Sequence, residues 1–394
     1  MKMKIFVFVL MMGFGCQNVW AERPDLTKIE GLIANKKYFS AFSELKSYDP
    51  DFNDPKVVSK MAFLATHYYV FCVNRMVFAF KDLSPSEYIE DVRGSNGKYE
   101  MLPFDIEKEL LTLETKNPNS GEILEAIGDF YYSGICQLEQ NKVSQAESYY
   151  KRAEKLVSLG YRANHNMGVI YLRKGKFVDA LAYLSRGHSQ NPSHGSTQYN
   201  LAYAYNAVGK PKKAVFHAEN AYRLYRDKKL KSEAALMAAY MNLDAKNKAK
   251  ALEYAVLANK YKHENHYHIL TMLLAMYLEM GEVRLADERA DELLNLDPKN
   301  SRLSEDALNS YMKFGYEKEF LGYLKRNANV HAENPMALGN LFFQKGRFYF
   351  YLKKENSKAV EAFKTSQAYF KQVVDEEHPA LLAISKMLQE IEGK

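Results

Sequence analysis

The chain has 394 residues, 47% hydrophobic and 26% charged, with a formal net charge of +6. That balance is enough to bury a large core. Its 29 Tyr and 22 Phe recur at fixed spacings, which points to packing aromatics rather than a cofactor box.

Met1-Lys2-Met3-Lys4 followed by an apolar run over residues 5–15 has the form of a signal peptide, too short for a comfortable membrane span. Val19-Trp20-Ala21 supplies small or aliphatic residues where a signal peptidase reads, so residues 1–21 are expected to be removed. No later stretch is apolar for long enough to span a membrane, and the rest is expected to be an exported, water-soluble protein, bacterial periplasmic or extracellular. Cys16, directly after the apolar run, also stands where a lipoprotein carries its acylated cysteine, which leaves an outer-membrane lipoprotein as the alternative. Cys72 and Cys136 are the other cysteines. In an oxidising compartment they form a disulfide candidate, against two buried thiols on separate helices over 68–73 and 127–135.

Residues 22–120 read as a helical region with degenerate repeats. Leu26, Ile29, Leu32 and Ile33, then Tyr38, Ala41, Phe42 and Leu45, recur at helical spacing and predict a helix pair over 25–48. Asp49, Asp51 and Asn53 imitate the start of a calcium loop. However, Asp54 stands where Gly is needed and Lys60 where the bidentate Glu belongs, so capping of the next helix is the better reading. Residues 57–80 are strongly apolar and predict a helix. Ser84, Pro85 and Glu87 have the spacing of a helix start, with Ser84 as cap and Glu87 reaching back. Gly94, Asn96, Gly97 and Pro103 break the 94–103 stretch into a surface loop.

Residues 121–371 carry a repeat of about 34 residues. Gly168 is followed by Tyr171, Gly175, Phe177, Ala180, Leu184, Gly187 and Pro192. The same offsets from Ala202 give Tyr205, Gly209, Pro211, Ala214, Ala218 and Ala221, and from Leu274 they give Tyr277, Gly281, Val283, Ala286, Ala290, Leu293 and Pro298. Small residues let two antiparallel helices approach, aromatics fill the gap between them, and Gly ends the first helix. Gly128, Tyr131, Ala146, Tyr150 and Ala153 begin the series, with six extra residues near 133–142. Residues 232–265 form a degenerate unit, and looser units follow over 301–371. Residues 372–394 supply a C-terminal capping helix.

This pattern resembles the tetratricopeptide repeat family, and the unit at Gly128 resembles its Sel1-like relatives with a longer internal turn. The resemblance covers most of 25–371. It implies an all-α, right-handed superhelical solenoid of antiparallel helix pairs. It also implies a concave groove, lined by the first helix of each pair, that binds a peptide or protein. It implies no chemistry.

Charge is uneven along the chain. Residues 22–160 carry a net −5, 161–264 a net +11 and 265–394 a net −2. In the basic segment Arg173, Lys174 and Lys176, then Lys210, Lys212 and Lys213, then Lys246, Lys248 and Lys250 fall at successive helix–helix turns. Equivalent turns share one edge of a solenoid, so these residues predict a basic ridge that attracts an acidic protein segment. The alternative is a set of solvated turns kept soluble by lysine. On the first helix of each unit, the face turned from its partner selects Arg162, His165, Asn166, Val169 and Arg173, then Tyr199, Asn200, Tyr203 and Asn206. Asn166 and Asn200 are equivalent, and an Asn amide suits a peptide backbone because it both donates and accepts. His263, His266 and His268 cluster in sequence, but they diverge on a helix and have no cysteine nearby, so a polar turn is the better reading than a metal site. No P-loop, dinucleotide fingerprint or nucleophile elbow is present. The expectation is an interaction scaffold with no cofactor, no metal, no nucleic-acid partner and no catalysis, or, with an acylated Cys16, a structural component of an outer-membrane or wall assembly.

Overall fold

A computed structural model describes residues 25–95, 97–133, 140–261 and 266–393. The leader with Cys16, Cys136, His263 and most of the six-residue insertion near 133–142 lie outside the described residues. The chain divides into two compact units, Met1–Lys174 and Gly175–Lys394.

The first unit opens with α1 (Leu26–Ala34) and α2 (Tyr38–Tyr48), then α3 (Pro55–His67). Asp25 caps α1 by accepting from the N–H groups of Thr27 and Lys28. Asp54 caps α3 in the same way, with Pro55 in the first turn. The Asp49 carboxylate accepts from the N–H groups of Asn53 and Asp54 at 2.9 and 2.8 Å, which shapes the turn between the two helices.

The helix predicted over 57–80 stops at His67. The chain then enters a three-stranded antiparallel sheet of β1 (Phe71–Val73), β2 (Val77–Ala79) and β3 (Leu102–Pro103), in the order β1-β2-β3. Asn74 and Arg75 both take positive φ, +49° and +62°, and the Met76 N–H donates to the Val73 carbonyl at 3.0 Å. Asn74, Arg75 and Met76 form the three-residue connection, and two successive left-handed residues match the twist of the flanking strands, with Asn tolerating that region. Cys72 therefore lies on a strand, half-buried, rather than on a helix. Burial pushes its thiol pKa up.

The helix start expected at Ser84 is also cut short. Glu87 does reach back to the Ser84 N–H at 2.8 Å, but Lys81 engages the same carboxylate. Lys36 Nζ donates to the carbonyls of Pro85 and Glu87. With those carbonyls taken, only one helical turn forms, α4 (Ile89–Val92). The unit closes with α5 (Ile106–Lys116), α6 (Gly121–Tyr132), α7 (Gln140–Glu154) and α8 (Tyr161–Arg173). Gly128 on α6 lets Tyr150 of α7 approach so closely that an added Cβ would lie 2.6 Å from its ring.

The second unit is a run of helices packed in sequence order. It comprises α9 (Phe177–Gln190), α10 (Gly195–Ala207), α11 (Pro211–Leu224), α12 (Lys228–Asp244), α13 (Lys248–Asn259) and α14 (His266–Met280). It continues with α15 (Val283–Leu296), α16 (Ser301–Lys313), α17 (Glu317–Val330), α18 (Pro335–Arg347), α19 (Asn356–Phe370) and α20 (Pro379–Glu392). The periodic small residues are its core: Ala202, Ala214, Ala218, Ala251, Ala255, Ala286 and Ala290 are fully buried. Gly209, Gly281 and Gly315 end first helices with φ of +71°, +78° and +80°. At the corresponding turn after α12 the same left-handed conformation is forced on Lys246, at +62°. A π-helical turn, Phe348–Lys353, follows α18 and ends at Lys354, also left-handed at +57°. No helix among the described residues is long and apolar enough to cross a membrane.

Candidate functional site

Three helices of the first unit, α3, α6 and α8, border a cleft of about 530 Å³, to which α1 contributes Leu26 and Glu30. From α3 it is lined by Ser59, Ala62, Phe63 and Thr66, and from α6 by Glu122, Glu125, Ala126 and Asp129. Each set follows an i, i+3, i+4, i+7 spacing, so each is one continuous stripe on its helix. α8 adds Arg162, with Gly160 and Tyr161 at its start.

The α6 carboxylates are held but not satisfied. Asp129 accepts the Tyr150 hydroxyl at 2.6 Å and the Asn166 amide at 3.1 Å, both on Oδ1. The two Glu125 oxygens share one donor, the Gly160 N–H, at 3.2 Å each. Burial and the adjacent Asp129 carboxylate push Glu125 up to about 7. Burial also raises Asp129, against the pull of Tyr150, Arg162 and Asn166. Arg162 lies 4.8 Å from the Phe63 ring and 5.3 Å from that of Tyr161. It forms no ion pair among the described residues. Lys60 is tied to Glu30 at 3.2 Å. Beside the cleft, His67 Nδ1 donates to the Phe63 carbonyl at 3.0 Å, and burial with the nearby Arg162 charge lowers this histidine to about 4.

The groove residues read from the sequence fall on both units. In the first, Arg162 lines the cleft, and Asn166 stands behind it, its amide shared between Asp129 and the Tyr150 hydroxyl. His165 and Val169 are half-buried, and Arg173 is exposed. In the second, Asn206 donates to Asp244 at 3.1 Å and Tyr203 meets Phe177 edge-on at 6.1 Å. Asn200 is half-buried, as is Tyr199, whose hydroxyl is pushed up to about 12 by burial. On these two helices, α8 and α10, the buried amides are instead Asn164 and Gln198, also 34 residues apart. Each donates to a carbonyl of the preceding turn, that of Leu159 at 2.8 Å and that of Pro192 at 2.8 Å.

The lysines of the expected ridge are unequal. Lys174, in the first unit, pairs with Glu147. In the second, Lys248 pairs with Glu279, and Lys250 with Glu219 at 3.1 Å. Lys210, Lys212, Lys213 and Lys246 are exposed and form no ion pair among the described residues, and Lys176, one repeat before Lys210, is exposed as well. Lys213 lies over the Tyr205 ring at 5.2 Å. His266 is buried in α14, one turn from Leu270, and the described residues contain no group of three or more His, Cys, Asp or Glu able to hold a metal ion.

Periodic alanines, left-handed turn residues and sequence-order pairing together define the repeat. The fold is a helical-repeat array of tetratricopeptide-like helix pairs. No protein-family model and no curated protein matches the chain. Among solved structures it is similar to a tetratricopeptide repeat protein from Parabacteroides merdae ATCC 43184, at 17% identity over 68% of this chain and 98% of that one, with a TM-score of 0.41. It is also similar to the C-terminal part of a repeat-containing protein from Cytophaga hutchinsonii, at 15% identity over 71% and 93%, TM-score 0.41. A third is the apo form of RapI, at 11% identity over 88% and 97%, TM-score 0.45.

The sequence reading missed Phe63, Glu125 and Asp129. The signal was present: the groove rule that selects Arg162, His165, Asn166 and Val169 selects Glu122, Glu125, Ala126 and Asp129 when moved from Gly168 back to Gly128.

Proposed function

We propose that the chain is a non-enzymatic interaction scaffold that holds a peptide or protein segment of its partner in the α3/α6/α8 cleft. One observation carries the reading. A side-chain stripe from α3 and one from α6 line an open cleft, and the small residues Ala62 and Ala126 leave its floor unfilled. Such a surface matches an extended chain, whose backbone and side chains need donors and acceptors at regular intervals. In the second unit, Lys210, Lys212 and Lys213 give the scaffold a cationic edge that speeds encounter with an acidic region of the partner. We also propose export, with cleavage after Ala21. The mass of the mature N-terminus tests this, since an acylated Cys16 would make the protein a membrane-anchored component instead.

A photoreactive amino acid placed at Ala126 tests the cleft, with the exposed α7 residue Ser148 as control. The partner is expected to crosslink from Ala126 and not from Ser148. Equal capture at both sites, or none at Ala126, refutes the assignment.

A further inference from the structure

The walls of the cleft differ in how their polar groups are used. Glu125 and Asp129 lie one helical turn apart on α6, with the small Ala126 between them. A carboxylate accepts up to about four hydrogen bonds. Among the described residues the pair receives only the Gly160 N–H on Glu125, and the Tyr150 hydroxyl and Asn166 amide on Asp129. Asp129 Oδ2 has no partner among the described residues, and Tyr150 and Asn166 fix the carboxylate from behind. The opposite wall adds an independent observation. Thr66 is only 8% exposed and lines the cleft, yet its hydroxyl makes no hydrogen bond among the described residues. Ser59 Oγ, two turns before it on α3, is buried and unpartnered as well among those residues.

We infer that the cleft recognises a guanidinium or ammonium side chain, seated over Ala126 between Glu125 and Asp129 with the Thr66 hydroxyl facing it. This rests on the cleft being the partner's docking site. A cation supplies several N–H donors to two donor-poor carboxylates at once, and a charge-assisted bond of this kind is about twice as strong as a neutral one. It also relieves the desolvation and mutual repulsion of two acids one turn apart. Of the cations lining the cleft, Lys60 is held by Glu30, Arg162 lies against the ring of Phe63 while its charge still acts on Asp129, and Lys56 is exposed at the start of α3.

The full chain, panned against a random peptide library at low salt and mildly alkaline pH, tests the inference. Enriched peptides are expected to carry Arg or Lys. Glu125→Gln, which keeps the acceptor for the Gly160 N–H, is expected to weaken them about tenfold or more. Ala126→Arg, which fills the floor, is expected to abolish binding. Peptides lost on Ala126→Arg but lacking a cation and indifferent to Glu125→Gln overturn the inference and leave the cleft as a docking site. Acidic peptides lost on Arg162→Gln overturn it in favour of an anion. Peptides that bind Ala126→Arg as tightly as the parent, or no enrichment at all, overturn the docking reading itself.

Discussion

Gly346→Ala and Gly322→Ala make the same chemical change in neighbouring helices of the second unit and are expected to have opposite effects. At Gly346 on α18, the new Cβ lies 2.5 Å from two ring atoms of Phe363 on α19. Ordinary contact begins near 3.4 Å, so the ring must retreat by about 0.9 Å. Phe363 is fully buried and packs against Phe343 at 5.7 Å, so it has little room to retreat. Overpacking of this kind costs about 2–3 kcal/mol. The gain in helix propensity from Gly to Ala returns about 1 kcal/mol, which leaves Gly346→Ala destabilised by about 1–2 kcal/mol. At Gly322 on α17 the nearest atom is Arg326 Nη1 at 3.6 Å, the movable end of a long side chain. Only the propensity term remains there, a stabilisation of about 0.5–1 kcal/mol. Urea unfolding of the whole chain, followed by helical circular dichroism with both variants in parallel, reads the difference. Equal midpoints, or a Gly346→Ala midpoint above the parent's, would refute the claim that α18 and α19 are in contact through a missing side chain.

Glu125 titrates near 7 in the fold against 4.5 when unfolded, so the stability from its favoured protonated form is complete below 4.5 and is lost as pH rises through 7. With allowance for solvent at the cleft mouth the loss is on the order of 2 kcal/mol, and Glu125→Gln should remove it; unfolding midpoints of parent and variant that run parallel from acid to neutral pH would contradict this. His217, buried between Gln198 at 2.7 Å and the stacked Tyr205 ring, is lowered to about 4 by burial, then by His188 and Lys213. Its contribution is present above 6.5 and lost as pH falls through 4. Its imidazole NMR signals should stay constant through the physiological range, and a midpoint near 6.5 would be the wrong result. Lys246→Gly should stabilise the second unit by about 1 kcal/mol by freeing a left-handed position from its Cβ, read as a rise in the denaturation midpoint. Glu at Lys210, Lys212 and Lys213 together should slow association with the partner at low salt and have little effect at high salt; unchanged rates would remove these lysines from the account.

The regular repeats were legible because their signal is steric and local. An alanine at a helix crossing or a glycine in a left-handed turn answers to a contact within its own unit, so Ala202, Ala214, Gly209 and Gly281 could be assigned from spacing alone. The hairpin was not legible, because 57–80 is strongly apolar and its irregular pair, Asn74-Arg75, lacks the glycine that usually marks such a loop. Lys246 hid the same feature in the degenerate unit. The cleft was half legible: Arg162 was selected by its face, whereas Glu125 and Asp129 belong to a helix whose repeat is offset by the six extra residues before Ala146. Ion pairing of Lys174, Lys248 and Lys250 joins residues 27 to 31 positions apart, beyond the reach of a charge count.

In the second unit each helix leans on its neighbours in the chain, α10 on α11, α12 on α13 and α18 on α19. Folding can therefore start in any of several places and spread by short loops, without waiting for distant segments to meet. The same arrangement determines how the unit yields under tension. Pulled from its ends, it should lengthen in steps of one pair, and a bound segment that straddles two pairs would act as a clasp, raising the force needed at that point alone.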